Sequence, residues 1–204
     1  MTKKLFITII GNMGSGKTTL ANLLSLNLGF IHPEENFTGN KFLERFYDDM
    51  SRWAFHSQIF FLTEKAKQLI KLNGTLKRKS IVMEPDILQD VDVWARAQVY
   101  HKNMGIDEYR LYKKVYRMFA PSLPNPDLTI YLRASVPVLM DRIGKRRREF
   151  EREVPKKYLM ILNTLNDRLA KKLKALVIDT DGINIVRRKS DINNVISIIE
   201  EKLK

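Results

Sequence analysis

The sequence predicts a three-layer α/β domain built on a five-stranded parallel sheet. Short apolar runs rich in β-branched residues alternate with longer segments of helical periodicity, which is typical of strands buried between two helical layers. The predicted strands cover 5–10, the weaker 29–34, 80–83, 128–132 and 175–178. The predicted helices lie near 17–28, 41–72 with a break around 48–51, 89–119, 136–150, 155–174 and 189–203. Neither a repeat nor a linker interrupts this alternation, so a single domain over 1–204 is expected.

Composition narrows the classes of function. The chain of 204 residues contains no cysteine, which excludes disulfides, zinc–thiolate sites and a cysteine nucleophile. Its formal net charge of +13 favours polyanionic partners: nucleic acid, an anionic membrane or nucleotide phosphates. No apolar run approaches the roughly 18 residues of a membrane span. The apolar N-terminal run leads into a glycine-rich loop instead of a cleavage site, so a first strand and a cytoplasmic location are expected.

The segment GNMGSGKT, from Gly11 to Thr18, fits the pattern G-x-x-x-x-G-K-[ST]. It follows a predicted strand and opens a predicted helix, so its backbone N–H groups and the helix N-terminus can bind phosphate. Lys17 can reach the terminal phosphates, and the Thr18 hydroxyl can ligate Mg²⁺. The alternative is a glycine-rich turn that binds nothing. The residues expected to bind ATP here are Gly11, Asn12, Met13, Gly14, Ser15, Gly16, Lys17, Thr18 and Thr19.

Two further segments carry groups suited to phosphoryl transfer. PEEN supplies the carboxylates of Glu34 and Glu35 near the end of the weak second strand, and such a group can deprotonate an attacking hydroxyl. FYDDMSRWAFHSQ adds aromatic residues and the amide of Gln58, which can pair with a base edge, although Trp53 is expected to belong to the core. The run RIGKRRREFERE at 142–153 could bind nucleic acid or close over one small phosphate ligand.

Taken together, these segments resemble the deoxyribonucleoside kinase family, in particular its bacterial deoxyadenosine/deoxyguanosine kinase type. The resemblance rests on the phosphate loop and on the spacing E-E…N-x-F-L-x-x-F-Y…W-A-F-x-x-Q between 34 and 58. It continues through DLTIYLRASVPVLMDRI at 127–143 and R-I-x-x-R-x-R…E…P-x-x-Y-L between 142 and 159. It implies a P-loop kinase fold with an arginine-rich lid at about 142–155, ATP and Mg²⁺ as cofactors, and a homodimer.

The resemblance also implies roles on the acceptor side. Glu35 would be the general base for the 5′-hydroxyl, while Tyr47 and Glu151 would hold the 3′-hydroxyl. Gln58 would pair with the base edge. The other residues expected to contact the nucleoside are Phe37, Glu84, Asp90 beside Gln58, and Trp94, which would stack on the base. Lys65 stands where the family has an arginine partner for the aspartate, which keeps the charge but loses a bidentate fork.

On the donor side, the resemblance implies that three arginines of the 142–153 run bind ATP. Arg142 and Arg148 would neutralise the phosphates in the transition state, and Arg146 would stack on adenine. Lys17, Glu35 and Arg148 are the expected catalytic residues. Thr18 and Glu84 are the expected metal ligands. The competing nucleic-acid interpretation of this run is not preferred, because no recognised nucleic-acid module accompanies it.

One position departs from the family pattern near the reacting centre. After the third predicted strand the family has an acid-Arg-Ser triplet, whereas this chain has Glu84 followed by Pro85. Loss of such a preorganised charge commonly costs about 2–4 kcal/mol of transition-state stabilisation. Arg96 or a lid arginine could compensate. A second, milder departure is Asn36, which stands where a proline usually follows the glutamate.

The preferred function is ATP-dependent phosphorylation of the 5′-hydroxyl of a purine deoxyribonucleoside, with deoxyadenosine as first choice, for nucleotide salvage. Partners would be small molecules, with neither nucleic acid nor membrane. One alternative is a nucleoside monophosphate kinase of the thymidylate-kinase kind, although its Asp-Arg-aromatic signature is missing at 84–86. A further alternative is a catalytically weak or inactive nucleotide-binding relative, which Pro85 alone favours.

Overall fold

The chain forms an α/β structure around a parallel sheet in the computed structural model, which describes residues 3–33, 39–146 and 154–203, with only the backbone of Arg146. The strands are β1 (Phe6–Gly11), β2 (Ile81–Met83), β3 (Leu128–Arg133) and β4 (Leu176–Asp179). Their spatial order is β2-β1-β3-β4, and each neighbouring pair is parallel. The alternating apolar pattern therefore predicted the α/β class and these four strands correctly.

The prediction of five strands is wrong for the described part of the chain. The weak second candidate is reduced to a single parallel bridge between Ile31 and Ile81. The Ile31 N–H donates to the Ser80 carbonyl at 2.9 Å, and its carbonyl accepts from the Val82 N–H at 2.9 Å. The next donor in this register would be residue 33, which is a proline without an N–H, so the ladder stops after one residue.

The helices follow the sequence periodicity, with two refinements. Asp49 caps the second helix of the predicted 41–72 segment by accepting from the Arg52 N–H, which explains the break there. The predicted 89–119 helix is divided by a π-helical turn and by a loop at 101–105. The elements are α1 (Lys17–Leu28), α2 (Leu43–Asp48), α3 (Met50–Leu76), α4 (Ile87–Gln89), the π turn (Asp90–Trp94), α5 (Ala95–Tyr100), α6 (Ile106–Phe119), a 3₁₀ turn (Ala120–Ser122), α7 (Val136–Arg146), α8 (Lys156–Leu173) and α9 (Lys189–Lys202).

Helices cover both faces of the sheet, as the three-layer prediction requires. On one face, Ile7 and Ile9 of β1 pack with Leu20 and Leu24 of α1 and with apolar residues of α9. On the other face, α3 and α6 pack over Phe6 and β2, and α8 packs over the neighbouring strands. The phosphate loop segment begins at the carboxyl end of β1, which is the edge where open α/β sheets bind ligands. Among the residues that the structure describes, no helix is long and apolar enough to cross a membrane.

Candidate active site

The phosphate loop connects the end of β1 to the first residue of α1. Its backbone turns sharply because Gly14 and Gly16 have φ angles of 76° and 100°, in the left-handed region that favours glycine. A Cβ atom on Gly11 would lie 2.5 Å from the Ser15 Oγ and 2.8 Å from the Leu132 carbonyl oxygen. The glycines are therefore required by the path of the chain, and they leave the backbone N–H groups room to approach a phosphate.

The polar side chains of the loop are arranged to receive phosphate and metal. Lys17 Nζ donates to the carbonyl oxygens of Gly11 and Asn12, each at 3.0 Å. The buried Ser15 Oγ has no hydrogen-bond partner within 3–33, 39–146 and 154–203, so it can donate to an incoming oxyanion. Thr18 is exposed on the first turn of α1. These groups fit a nucleoside triphosphate and its Mg²⁺.

Two other segments border the phosphate loop. A Cβ atom on Gly14 would meet Ile143 Cγ1 of α7 at 3.1 Å, and one on Gly16 would meet Ile185 Cδ1 at 3.6 Å. Arg142, next to Ile143, donates through Nη1 to Thr180 Oγ1 at 3.0 Å and through Nη2 to the Thr180 carbonyl at 2.6 Å. Arg142, which the resemblance implies would neutralise the ATP phosphates, thus joins α7 to the segment after β4, and its neighbour Ile143 lies beside the phosphate loop.

A buried pair of opposite charges lies beyond the end of β2. Lys65 of α3 is 3% exposed, and its Nζ lies 3.5 Å from Asp90 Oδ2 at the start of the π turn. The same ammonium donates to the Pro85 carbonyl at 3.1 Å. Gln58, two turns earlier on α3, is also buried. The structure thus brings together the Lys65–Asp90 pair that sequence analysis associated with the base.

Two acidic residues follow β2 and differ in environment. Glu84, an expected metal ligand, lies with Oε1 3.9 Å from His32 Nε2 of the segment after α1. Asp86 is buried, accepting from Thr8 Oγ1 at 2.6 Å and capping α4 through the Leu88 N–H at 2.7 Å. Burial raises the pKa of Asp86, and the hydrogen bonds from Thr8 and Leu88 only partly offset this effect. Asp86 is thus engaged within the fold, and Glu84 stays the predicted metal ligand.

The remaining predicted residues are placed as follows. Tyr47 lies on α2 with 43% of its surface exposed. Trp94 ends the π turn and packs against the apolar cluster beneath α8. The expectation that Trp53 is core is wrong: its side chain is half-buried, and the guanidinium groups of Arg45 and Arg52 lie 5.1 and 5.3 Å from its ring centroid. Outside the described residues lie Glu35, Phe37, Arg148, Glu151 and the side chain of Arg146.

A cluster of buried amides behind the phosphate loop escaped the sequence analysis, apart from its member Asn12. Gln89 of α4 bonds to Gly11 and to Asn166 of α8, and Asn12 bonds to Asn163 of α8. The available signal was the pair of asparagines three residues apart on α8, because they interrupt a helix face that is otherwise apolar.

Comparison with known proteins identifies the family of the chain. A family model described as deoxynucleoside kinase matches residues 7–204. A deoxyguanosine kinase of Bacillus subtilis (strain 168) is 32% identical over 203 residues, which cover 96% of each chain. A deoxyadenosine/deoxycytidine kinase of the same organism is 28% identical over 205 residues, covering 97% of this chain and 92% of the relative.

A solved structure of a deoxyadenosine kinase from M. mycoides, with the products dCMP and a flexible dCDP bound, superposes with a TM-score of 0.81. It is 25% identical, and the match covers 97% of this chain and 100% of that one. The match to the family over 7–204 and the phosphate loop at the end of β1 lead to one conclusion: this chain belongs to the deoxynucleoside kinase family and is a phosphotransferase that acts on deoxynucleosides.

Proposed function

We propose that the chain transfers the γ-phosphoryl group of ATP to the 5′-hydroxyl of a purine deoxyribonucleoside, in nucleotide salvage. The observation that carries this proposal is the buried Lys65–Asp90 pair, 3.5 Å apart, on the acceptor side of a formed phosphate loop. A buried polar site rejects ligands that leave its groups unpaired, so such a pair selects for a base with complementary donors and acceptors.

The phosphate loop supports ATP and Mg²⁺ as the cofactors. Lys17, Ser15 and the loop N–H groups would hold the β- and γ-phosphates, and Thr18 and Glu84 would hold the metal. Mg²⁺ supplies neutralisation of phosphate charge when it is bound. The exposed Thr18 hydroxyl and the buried, unpartnered Ser15 Oγ within the described residues support these assignments.

The polar groups proposed for the acceptor side support a purine base. The Gln58 amide can both donate and accept, so it complements the donor and acceptor that adenine presents on one edge. Deoxyadenosine remains the first choice that the sequence predicts. The competing acceptor is deoxyguanosine, because a carboxylate such as Asp90 can accept from the two neighbouring N–H groups of guanine while Lys65 faces its carbonyl oxygen. The relative that is 32% identical is a deoxyguanosine kinase.

The chemistry at the reacting hydroxyl is proposed from the resemblance. Glu35 acts as the general base, Tyr47 and Glu151 hold the 3′-hydroxyl, and Arg142 and Arg148 stabilise the charge on the migrating phosphoryl group. The resemblance also implies that the nucleoside contacts Phe37, that its base stacks on Trp94, and that the adenine of ATP stacks on Arg146. Pro85 stands where the family has an arginine, so the cation of that arginine is absent. Lys65 is a cation close to this position, since its ammonium donates to the Pro85 carbonyl.

A substrate panel tests the proposed reaction. Release of ADP is measured with ATP, Mg²⁺ and each of the four common deoxynucleosides, and turnover with the purines should exceed turnover with thymidine and deoxycytidine. Product analysis should find the phosphate on the 5′-oxygen. Turnover limited to pyrimidines, or absent for all four, would overturn the proposal.

A matched pair of variants tests the general base. Glu35→Gln should lower kcat by at least about a hundredfold, in the range of general-base contributions, while ATP affinity stays unchanged. Glu34→Gln, an identical change at the preceding residue, should keep kcat within a few fold. Equal losses in the two variants would remove Glu35 from the proposed role.

The comparisons do not favour the alternatives. A nucleoside monophosphate kinase should phosphorylate dTMP, so dTMP is offered beside thymidine in the same panel, and the proposal expects no turnover of dTMP. A chain that binds ATP normally but whose negligible turnover does not change in Glu35→Gln would instead be an inactive nucleotide-binding relative. The cytoplasmic location stays a prediction, which imaging of a fluorescent fusion would check.

The predicted homodimer is supported by exposed apolar side chains on α6. Leu111 and Met118 are 51% and 74% exposed and share one face of the helix, being seven residues apart. Light scattering after size exclusion should report a dimer, and Leu111→Glu with Met118→Glu should produce monomers. The control is Leu26→Glu, which alters an 82% exposed leucine on α1 and should leave the dimer intact.

A further inference from the structure

The Gln89 side chain completes the hydrogen bonding of the last residue of β1. Gly11 ends this strand and pairs with Leu132 of β3 on one side, whereas on the other side β2 is aligned with β1 only as far as Thr8 and Met83. The amide of Gln89 fills the open side. Its Nε2 donates to the Gly11 carbonyl at 2.6 Å, and its Oε1 accepts from the Gly11 N–H at 3.3 Å.

The Gly11 carbonyl that accepts from Gln89 is also one of the two carbonyls to which Lys17 Nζ donates. Lys17 Nζ lies 3.0 Å from the Gly11 oxygen, and a carbonyl oxygen has two lone pairs to offer. The Gly11 oxygen thus accepts from both Gln89 and Lys17. Any rotation of this peptide would move the acceptor of the ammonium that reaches the phosphates.

A second row of amides on α8 holds Gln89 and the loop in place. The remaining Nε2 proton of Gln89 is donated to Asn166 Oδ1 at 2.7 Å, and Asn166 in turn donates to the Leu162 carbonyl. Asn12 donates to Asn163 Oδ1 at 2.8 Å. Gln89 and Asn166 are both 0% exposed and Asn12 is 1% exposed, so water cannot replace these bonds.

Only a primary amide satisfies all the groups that surround position 89. The site offers two acceptors, the Gly11 carbonyl and Asn166 Oδ1, and one donor, the Gly11 N–H. An ionised glutamate would accept from the Gly11 N–H, but it would face both acceptors without a proton to donate. A protonated glutamate would restore one of the two donated bonds.

We propose that Gln89 is a positioning residue for the phosphate loop: it fixes the Gly11 peptide, and thereby Lys17, in the conformation that receives the ATP phosphates. This inference rests on the proposed function only in taking ATP as the ligand of the loop. It adds a residue outside the loop itself, held by α4 and α8, to the machinery that determines ATP affinity.

The test compares ATP binding and catalysis in the full-length chain. Gln89→Leu should raise the Kd of ATP by about tenfold, as expected for a buried hydrogen bond lost from the loop, and should lower kcat. The KM for the deoxynucleoside should change less than twofold. Calorimetry with ATP gives the Kd, and steady-state assays give the two kinetic constants.

A pH profile separates positioning from simple loss of stability. At each pH, the ATP Kd of Gln89→Glu is divided by the ATP Kd of the parent chain. This ratio should rise between about pH 6 and pH 9, because a buried glutamate loses its remaining donor as it ionises. In Gln89→Leu, which has no proton to lose, the ratio should stay constant over the same range. Equal, flat profiles in the two variants would overturn the proposal.

Gln98→Leu is the matched control. Gln98 is a second buried glutamine, 3% exposed, on the neighbouring helix α5, and its amide bonds to Tyr158 and Asn103 instead of the phosphate loop. This variant should lose stability without a change in ATP Kd. If Gln89→Leu folds poorly, Asn166→Leu should raise the ATP Kd in the same direction by a smaller factor.

The outcomes of this experiment and of the substrate panel are distinguishable. ATP Kd values within twofold of the parent in folded Gln89→Leu and Asn166→Leu would overturn the positioning role, whatever the acceptor. A parent chain that binds ATP but phosphorylates no deoxynucleoside would overturn the proposed function, while the comparison of ATP affinities would still decide the role of Gln89.

Discussion

Replacing Lys65 by methionine should destabilise the protein strongly. The Lys65 and Asp90 side chains are only 2% and 8% exposed, so removing the ammonium leaves the Asp90 carboxylate buried without this cation. Breaking a buried pair by removing one partner typically costs about 3–5 kcal/mol. Methionine has a similar length and no charge, so little of this loss would come from a cavity.

The free energy of unfolding is measured by urea titration of Lys65→Met and of a control. Lys67→Met makes the same change two residues later on α3, where the side chain is 60% exposed and lies 3.6 Å from Glu64. An exposed pair contributes about 0–1 kcal/mol, so the control should stay close to the parent. In a thermal melt, Lys65→Met should lower Tm by about 6–20 °C in a chain of this size.

Removing both charges provides the decisive comparison. Lys65→Met combined with Asp90→Leu should recover part of the loss, because replacing a whole buried pair with apolar residues is often neutral or stabilising. A single Lys65→Met variant within about 1 kcal/mol of the parent, and so no worse than a surface change, would refute the argument that the pair is desolvated.

Three further predictions concern the phosphate loop, Asp86 and the metal. Gly11→Ala should abolish ATP binding in calorimetry and cost about 1–3 kcal/mol of stability, because the new Cβ would lie 2.5 Å from Ser15 Oγ. Gly144→Ala is its control, since a Cβ there meets nothing within 4 Å, and normal ATP affinity of Gly11→Ala would contradict the steric argument. Burial raises the pKa of Asp86 above its unfolded value, so the stability it contributes is full at low pH and is lost as the pH rises through the folded pKa. Asp86→Asn should therefore gain stability relative to the parent between about pH 4 and pH 7 in urea titrations, and a gain that shrinks over this range would contradict it. Excess EDTA should stop ADP release and added Mg²⁺ should restore it, whereas turnover that persists in EDTA would exclude a metal requirement.

The elements that the sequence predicted well are those whose signal is local. Apolar runs placed the four strands to within a residue or two, and helical periodicity placed α1, α8 and α9 equally well. The second strand failed because pairing depends on every other N–H, and Pro33 removes the donor that would follow Ile31. Apolar content alone does not contain this information.

The same distinction holds for the site. The phosphate loop is contiguous in sequence, so its glycines, Lys17 and Thr18 were predicted from their spacing. The amide cluster was not, because asparagine and glutamine are usually surface residues and because 77 positions separate Gln89 from Asn166. The resemblance associated Lys65 with Asp90 correctly, but only packing reveals that Lys65 also binds the carbonyl of Pro85.

The π turn can absorb a change of one residue in this stretch. Its i→i+5 bond, from the Ala95 N–H to the Asp90 carbonyl, accommodates one residue more than an α-helical turn would. Deleting that residue would convert the turn into an ordinary α-helical turn, and the helix before and after it would keep its orientation. Gln89 would then stay against Gly11 and Asp90 against Lys65. Single-residue length differences among relatives should therefore be tolerated at this turn, as in loops such as 101–105.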